Sequence, residues 1–119
     1  MLNIELWSEI RRIGWDSDHS DYACLRKELH ERVTYHHIQE IAEFAKARAT
    51  EMKEHLNEFA ESQPEGLAKY WGVSDDSFWD LCCHIVGLGR DVYRLVMEEP
   101  TNAKRLAPRE NFLYIFNNA

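Results

Sequence analysis

Apolar side chains recur every three or four positions along most of the chain, which is the spacing of one face of an α-helix. The first such run comprises Leu2, Leu6, Ile10 and Ile13. Asn3 is a candidate N-cap for it, and Gly14 is positioned to end the helix in a left-handed conformation. After a turn-like segment, DSDHSDY, the spacing resumes at about Asp21 and continues to Val33. The pattern therefore predicts two short helices at the start of the chain.

A much longer amphipathic run follows Thr34, which is a good helix cap, and continues to about Ser62. Its apolar positions are Ile38, Ile41, Ala45, Ala49, Met52, Leu56 and Phe59. Pro64 and Gly66 interrupt the pattern, and the segment LAKYWG at positions 67–72 is short enough for a single helical turn. We expect this run to form the longest element of the fold.

The last long run extends from Ser74 until Pro100 limits it, and it predicts one further helix. Gly87 and Gly89 lie inside it. A phosphate-binding loop needs a strand before its glycines and a helix opening after them, and this segment provides neither. We therefore interpret the glycines as a packing notch, where the missing side chain lets a neighbouring helix or an aromatic ring approach.

The short aromatic tail ENFLYIFNN predicts either a final helical turn or an extended segment lying over the helices. The patterns together predict an all-α fold: one domain over residues 1–119, built as a compact bundle of about four main helices plus short helical turns. The tail is expected to pack on this bundle. A chain of 119 residues has the length of one ordinary domain and can bury enough apolar surface for one core.

Charge narrows the choice of partners. The chain has 21 acidic and 14 basic residues, and its formal net charge is −7. This balance disfavours nucleic acid and anionic membrane surfaces, and it favours another protein, a basic one above all. The first residues lack a continuous apolar stretch, and the three cysteines have no Cys-x-x-Cys spacing. We expect a cytoplasmic protein that is a monomer or a homodimer and has no cofactor.

Several segments together resemble a family of small bacterial proteins that is known only as a domain of unknown function. The likeness covers nearly the whole chain and is most specific in the sequence DDSFWDLCCHIVGLGRDVY, positions 75–93. It implies a helical bacterial protein and supplies no catalytic residues. The adjacent Cys82 and Cys83 stand where the family would have aliphatic or small residues, so the resemblance assigns no role to these thiols.

Asp76, Asp80 and His84 lie one turn apart and would form a stripe about 12 Å long on one helix face. Two carboxylates and an imidazole could bind a divalent metal or act as acid and base. In the alternative interpretation, the carboxylate near the helix N-terminus is favoured by the helix dipole, and Asp80 orients a half-buried His84.

Other polar groups have simpler interpretations. Glu51, Glu54, His55 and Glu58 are read as a solvent-exposed face, since the chain lacks the Glu-x-x-His motif of carboxylate-bridged metal bundles. His30, His36 and His37 cluster near a helix junction and are read as exposed polar residues rather than a metal or pH-sensing site. Cys82 fits the apolar stripe, so we interpret it as a small core residue and not as a nucleophile.

Aromatic and arginine side chains offer a different kind of site. Trp71, Trp79, Arg90 and Tyr93 could combine in one binding patch if LAKYWG packs over the helix, although core packing is an alternative for each ring. Trp7 lies off the clearest apolar stripe and is a further candidate anchor.

Three functions therefore compete. The first is a non-enzymatic acidic protein-binding module, resembling an immunity protein or an inhibitor. The second is a small-ligand or metal-binding protein or enzyme that uses Asp76, Asp80 and His84, with Arg90 as an anion contact. The third is a homodimeric structural protein that uses the long helix as its interface. The apolar stripe of that helix includes Ala42, Ala45 and Ala49, small residues that permit close helix approach and would serve packing within one bundle equally well.

Overall fold

The computed structural model describes residues 2–15, 22–63, 75–106 and 112–117, without the side chains of Tyr22, Asp75 and Asp76. Within these residues the elements are α1 (Asn3–Ile13), α2 (Tyr22–Arg32), α3 (Tyr35–Glu61), α4 (Asp75–Gly87) and α5 (Arg90–Glu98), followed by 3₁₀ helices at Pro100–Arg105 and Phe112–Phe116. The same residues include no strand, and the predicted all-α fold is confirmed. The predicted LAKYWG turn lies outside the described residues.

The ends of the first three helices follow the sequence signals closely. Gly14 ends α1 with φ of 80°, as predicted. The N-cap of α1 is Leu2 rather than Asn3, which is already helical, so that prediction is wrong by one residue. Thr34 does precede α3, and its carbonyl oxygen accepts a hydrogen bond of 2.9 Å from the Ile38 amide. The Thr34 side chain makes no capping hydrogen bond.

The segment predicted as one helix from Ser74 to Pro100 is two helices, so the described residues form five helices where the sequence predicted about four. Gly89 breaks the run because its φ of +105° lies outside the range of a right-handed helix and is tolerated by glycine alone at low cost. The next helix, α5, begins directly after this break, and the Tyr93 amide donates its first hydrogen bond to the Gly89 carbonyl oxygen. The apolar residues keep helical spacing on both sides of the break, because α4 and α5 each direct an apolar face towards the core.

The core is centred on α3 and α4, which pack against each other more extensively than any other described pair of elements. Ala45 and Ala49 on α3 and Cys82 and Cys83 on α4 have no exposed surface. The interpretation of Cys82 as a core residue is therefore confirmed. Ala45 and Ala49 face the core of their own chain, so these two alanines serve packing within the bundle and are not available to a homodimer interface.

The C-terminal 3₁₀ helix closes this core, which confirms that the aromatic tail is a helical turn packed on the bundle. Phe112 and Ile115 are fully buried. The Phe112 ring lies 5.1 Å from the Trp15 ring, measured between centroids. From the α2 side, Nε2 of His30 donates a hydrogen bond of 3.2 Å to the Ile115 carbonyl. Phe112 and Ile115 are thus part of the core rather than an addition to it.

Gly87 is the packing notch that the sequence indicated. A Cβ atom at this position would lie 2.5 Å from Cδ1 of Trp15 and 2.8 Å from the Phe112 ring. Contacts this short do not occur between real side chains, so the two rings occupy the space that glycine leaves free. Gly89, by contrast, has open space around it and is required for its backbone conformation.

None of the described helices combines the length and the apolar character that crossing a membrane requires.

Candidate functional site

His84 lies inside the core and not on an accessible stripe. Only 6% of its surface is exposed. Its Nδ1 atom accepts a hydrogen bond of 2.9 Å from Nε1 of Trp15. Indole nitrogen only donates, so Nδ1 carries no proton and the neutral ring holds its proton on Nε2. The imidazole therefore has a defined tautomer and one nitrogen already engaged.

The predicted metal stripe is only partly represented in the described residues. Asp80 is half-buried on α4, one turn before His84, and the side chain of Asp76 lies outside the described set. Among described residues, no group of three His, Cys, Asp or Glu side chains is arranged to hold a metal ion. Any metal at Asp80 and His84 would have to use Nε2 of the imidazole, since Nδ1 bonds Trp15.

The predicted aromatic patch is divided between separate places. Trp79 is half-buried, and the Lys53 ammonium lies 5.9 Å from the centre of its ring. Arg90 is exposed at the start of α5, whereas Tyr93 is buried, with 8% of its surface accessible. Trp71 lies outside the described residues. The structure thus brings Arg90 and Tyr93 to the side of α1 and leaves Trp79 beside α3.

Trp7 is the residue that joins α1 to the Tyr93 region. Its ring centroid is 5.3 Å from that of Phe44, edge to face, and 5.2 Å from that of Tyr93. The Tyr93 hydroxyl donates a hydrogen bond of 3.0 Å to Glu51, whose other oxygen pairs with Arg48 at 2.8 Å. Burial first, and then the Glu51 carboxylate, raises the pKa of Tyr93 above its ordinary value. This cluster holds α1, α3 and α5 together.

Outside that cluster, α1 and α5 form a small groove at the surface. Its volume is about 150 Å³, and its lining includes Ile4, Trp7, Arg11, Arg90 and Asp91. Arg90 and Trp7 were candidates from the sequence, whereas Arg11 and Ile4 were not. The signal for both was present, because positions 4, 7, 8 and 11 share one face of a helix.

The second half of α3 presents an acidic stripe, defined here as Glu54, Glu58 and Glu61. All three side chains are exposed, and none forms an ion pair with another described residue. The interpretation of Glu54 and Glu58 as solvent-exposed is confirmed. Glu51 is exposed as well, although it also bonds Tyr93, whereas His55 is half-buried and places its Nε2 atom out of solvent.

A wider groove of about 430 Å³ lies between the first half of α3 and the C-terminal 3₁₀ helix. Its lining is mixed, with Ile38 and Phe116 as apolar residues and Gln39, Glu43 and Lys46 as polar ones. Tyr35 accepts a hydrogen bond of 2.7 Å from the Gln39 amide at its rim. No part of this groove was indicated by the sequence, because its two sides are far apart along the chain.

The histidines and thiols offer no second centre in the described chain. His36 and His37 are exposed with ring centroids 5.8 Å apart, as predicted, whereas His30 is half-buried and bonds Ile115. Burial raises the pKa of the Cys82 thiol to about 12, so it is a poor nucleophile at neutral pH.

Comparison with known proteins gives a family and no function. No curated protein matches the chain. No solved structure matches it either. A family model described as protein of unknown function, DUF4240, matches residues 1–117, which is nearly the whole chain. The chain therefore belongs to this family of unknown function.

Proposed function

We propose that the protein is a non-enzymatic binding module that recognises a basic surface of another protein, in the manner of an immunity protein or an inhibitor. The observation that carries the proposal is the acidic stripe on α3. The net charge of −7 supports it, because a strongly acidic protein attracts a basic partner at long range.

The stripe is unfavourable for the free protein. Glu54 and Glu58 are four residues apart and Glu58 and Glu61 three, and like charges at either spacing destabilise a helix by about 0.2–0.5 kcal/mol per pair. The last turn of α3 has no basic residue, so the carboxylates also oppose the helix dipole at its negative end.

A basic partner would remove both penalties. Lysine or arginine side chains beside the stripe would neutralise the repulsion and complement the dipole in one contact. Exposed charges of this kind chiefly raise the rate of association and set specificity, and their effect weakens with salt. The proposed interaction is therefore salt-sensitive.

The test is affinity capture from the lysate of the native host at low salt, using the tagged full-length chain. We expect one or a few basic proteins to be retained and to be released when the salt concentration is raised. The Glu54→Gln/Glu58→Gln variant should lose them. The matched control is Glu5→Gln/Glu43→Gln, which removes the same charge from exposed positions outside the stripe.

Equal capture by the two double variants would reject the stripe as the binding surface. Capture of acidic proteins only, or of basic proteins that resist salt, would reject the proposed recognition of a basic surface. A direct titration of the purified partner with both variants then measures the change in Kd.

A further inference from the structure

The outer side of α1 and α5 forms a second surface, unlike the acidic stripe in its chemistry. We call it the α1–α5 face and define it by Ile4, Trp7, Arg11, Arg90, Arg94 and Leu95. The 150 Å³ groove between the helices and a depression of about 330 Å³ along α5 share Asp91 in their linings.

The arginines of this face have no partners within the described chain. Arg11, Arg90 and Arg94 form no ion pair with any residue that the structure describes. Arg94 precedes Glu98 by four residues, which is the weaker order for a helical ion pair, and the two side chains do not meet. Asp91 and Glu98 contribute two negative charges beside the three arginines. This part of the surface therefore has one excess positive charge, although the net charge of the chain is −7.

Two of the charges on α5 oppose its helix dipole, whereas Asp91 in the first turn is favoured by it. Arg90 is its first residue, at the positive end of the helix dipole, and Glu98 is in its last turn, at the negative end. Each of these two charges therefore lies at the helix end where the dipole disfavours its sign. As with the acidic stripe, the placement of Arg90 and Glu98 does not stabilise the free chain, and contact with a partner would offset its cost.

Apolar surface accompanies the arginines. Ile4 is 60% exposed and Leu95 55% exposed, and the half-buried ring of Trp7 lines the groove between their helices. Pockets for whole small molecules usually measure about 300–1,000 Å³, so a groove of 150 Å³ suits one side chain instead. The depression of 330 Å³ is lined by residues of α5 alone, and one helix face cannot surround a ligand.

We propose that the α1–α5 face binds an acidic segment of a partner protein, with one apolar side chain of that segment seated against Trp7. Carboxylates of the segment would pair with Arg11, Arg90 and Arg94, whose forked guanidinium groups match carboxylate geometry. Trp and Arg are also residues that dominate binding energy in protein interfaces. This inference is independent of the proposed function, since it uses different residues and the opposite charge.

The experiment is selection of a random-peptide display library on the immobilised full-length chain. We expect the enriched peptides to combine neighbouring acidic residues with one large apolar residue. Their affinity should fall at least about tenfold in Arg94→Glu and in Arg90→Glu, since each replaces an attractive contact with a repulsive one. Arg90→Glu should lose affinity without any fall in Tm, because an acidic residue suits the start of a helix.

Arg105→Glu is the matched control: it makes the same charge change at an exposed residue of the first 3₁₀ helix. It should leave peptide affinity within about twofold, the size of a long-range effect of one screened charge. Absence of enriched peptides, enrichment of basic ones, or equal losses in Arg105→Glu and Arg94→Glu would each overturn the proposal.

Two other occupants give different results. A dimer detected by light scattering and lost in Arg94→Glu would assign the face to a second copy of the chain. Binding of a single-stranded DNA oligonucleotide that is lost in the same variant would assign it to nucleic acid. Either result overturns the proposed partner. If a selected peptide instead loses its binding to the Glu54→Gln/Glu58→Gln variant, that peptide binds the acidic stripe and not this face.

Discussion

Trp15 and His84 are joined by a hydrogen bond inside the core, from Nε1 of the indole to Nδ1 of the imidazole, although they are 69 residues apart in the chain. The bond fixes His84 in the tautomer that carries its proton on Nε2. We expect imidazole ¹⁵N chemical shifts at neutral pH to show an unprotonated Nδ1. A proton on Nδ1 would contradict the geometry.

The Trp15→Phe substitution tests the energy of the same bond. It removes the donor and leaves a buried acceptor unsatisfied, so we expect a loss of about 1–3 kcal/mol in the free energy of unfolding, and more if a cavity remains. Trp79→Phe, at a half-buried ring, is the control and should cost less. Equal losses in urea denaturation would show that ring size, and not the hydrogen bond, determines the effect.

Gly87→Ala should destabilise the fold even though alanine favours helices. The added Cβ would overlap the Trp15 and Phe112 rings, and overpacking of this kind costs about 1–3 kcal/mol. The helical gain of about 1 kcal/mol for replacing glycine offsets only part of that. In a double-mutant cycle, Phe112→Leu should recover part of the loss, because a smaller side chain makes room. Strict additivity of the two substitutions would argue against the clash.

The three cysteines should differ sharply in reactivity. Cys24 is exposed, whereas Cys82 and Cys83 are buried. Since burial raises the pKa of Cys82 to about 12, its thiolate is scarce at pH values near 8. We expect a thiol reagent to modify one cysteine rapidly in the native protein and all three after denaturation. Loss of the rapid phase in Cys24→Ser would identify Cys24 as the reactive residue. A second rapid phase in the native protein would contradict the burial of Cys82 and Cys83.

Tyr93 links stability to alkaline pH. Its pKa is raised in the folded chain, so its contribution is fully present below the ordinary tyrosine pKa of about 10 and is lost as the pH rises towards the higher folded value. Tyr93→Phe should cost about 1 kcal/mol at neutral pH through the lost bond to Glu51. Its stability should also fall less steeply than that of the natural chain above pH ~10. If the stabilities of the variant and the natural chain fall equally steeply above pH ~10, the pKa of Tyr93 does not change on folding.

Glu58→Lys should stabilise the free protein while it damages the acidic stripe. The new cation would be four residues after Glu54 and near the C-terminus of α3, where both the ion pair and the helix dipole favour it. We expect a gain of about 0.5–1 kcal/mol in the free energy of unfolding. Glu43→Lys, in the first half of α3, serves as the comparison and should change stability less. A destabilised Glu58→Lys variant would mean that Glu58 has a structural role.

The sequence predicted the helices well because their apolar faces and end signals are local. Gly14 and Thr34 marked two boundaries correctly from neighbouring residues alone. The break at Gly89 was missed, since the apolar period is nearly the same on both sides of it and only the backbone angle distinguishes a helical glycine from a helix-breaking one. Gly87 was understood as a notch, but the rings that fill it come from distant segments.

The candidate site was harder to predict because it depends on which helices are neighbours. Asp80 and His84 were correctly placed one turn apart, yet nothing near His84 in the chain indicates that Trp15 bonds it. Arg90 was a candidate binding residue from its side-chain chemistry alone. Arg11 became one only because the structure places α1 beside α5. Of the acidic stripe, the sequence indicated only that Glu54 and Glu58 are exposed, and the absence of ion pairs with other described residues became apparent only in the structure.

The place of the Phe112–Phe116 helix in the core also has a consequence for synthesis on the ribosome. Helices α1 to α4 are translated well before Phe112, Ile115 and Phe116, which fill the space beside Trp15 and Gly87. Until those side chains emerge, the nascent chain exposes an apolar cleft at that position. The core at this position is therefore completed only after residues 112–116 have emerged, whatever the order in which the earlier helices form.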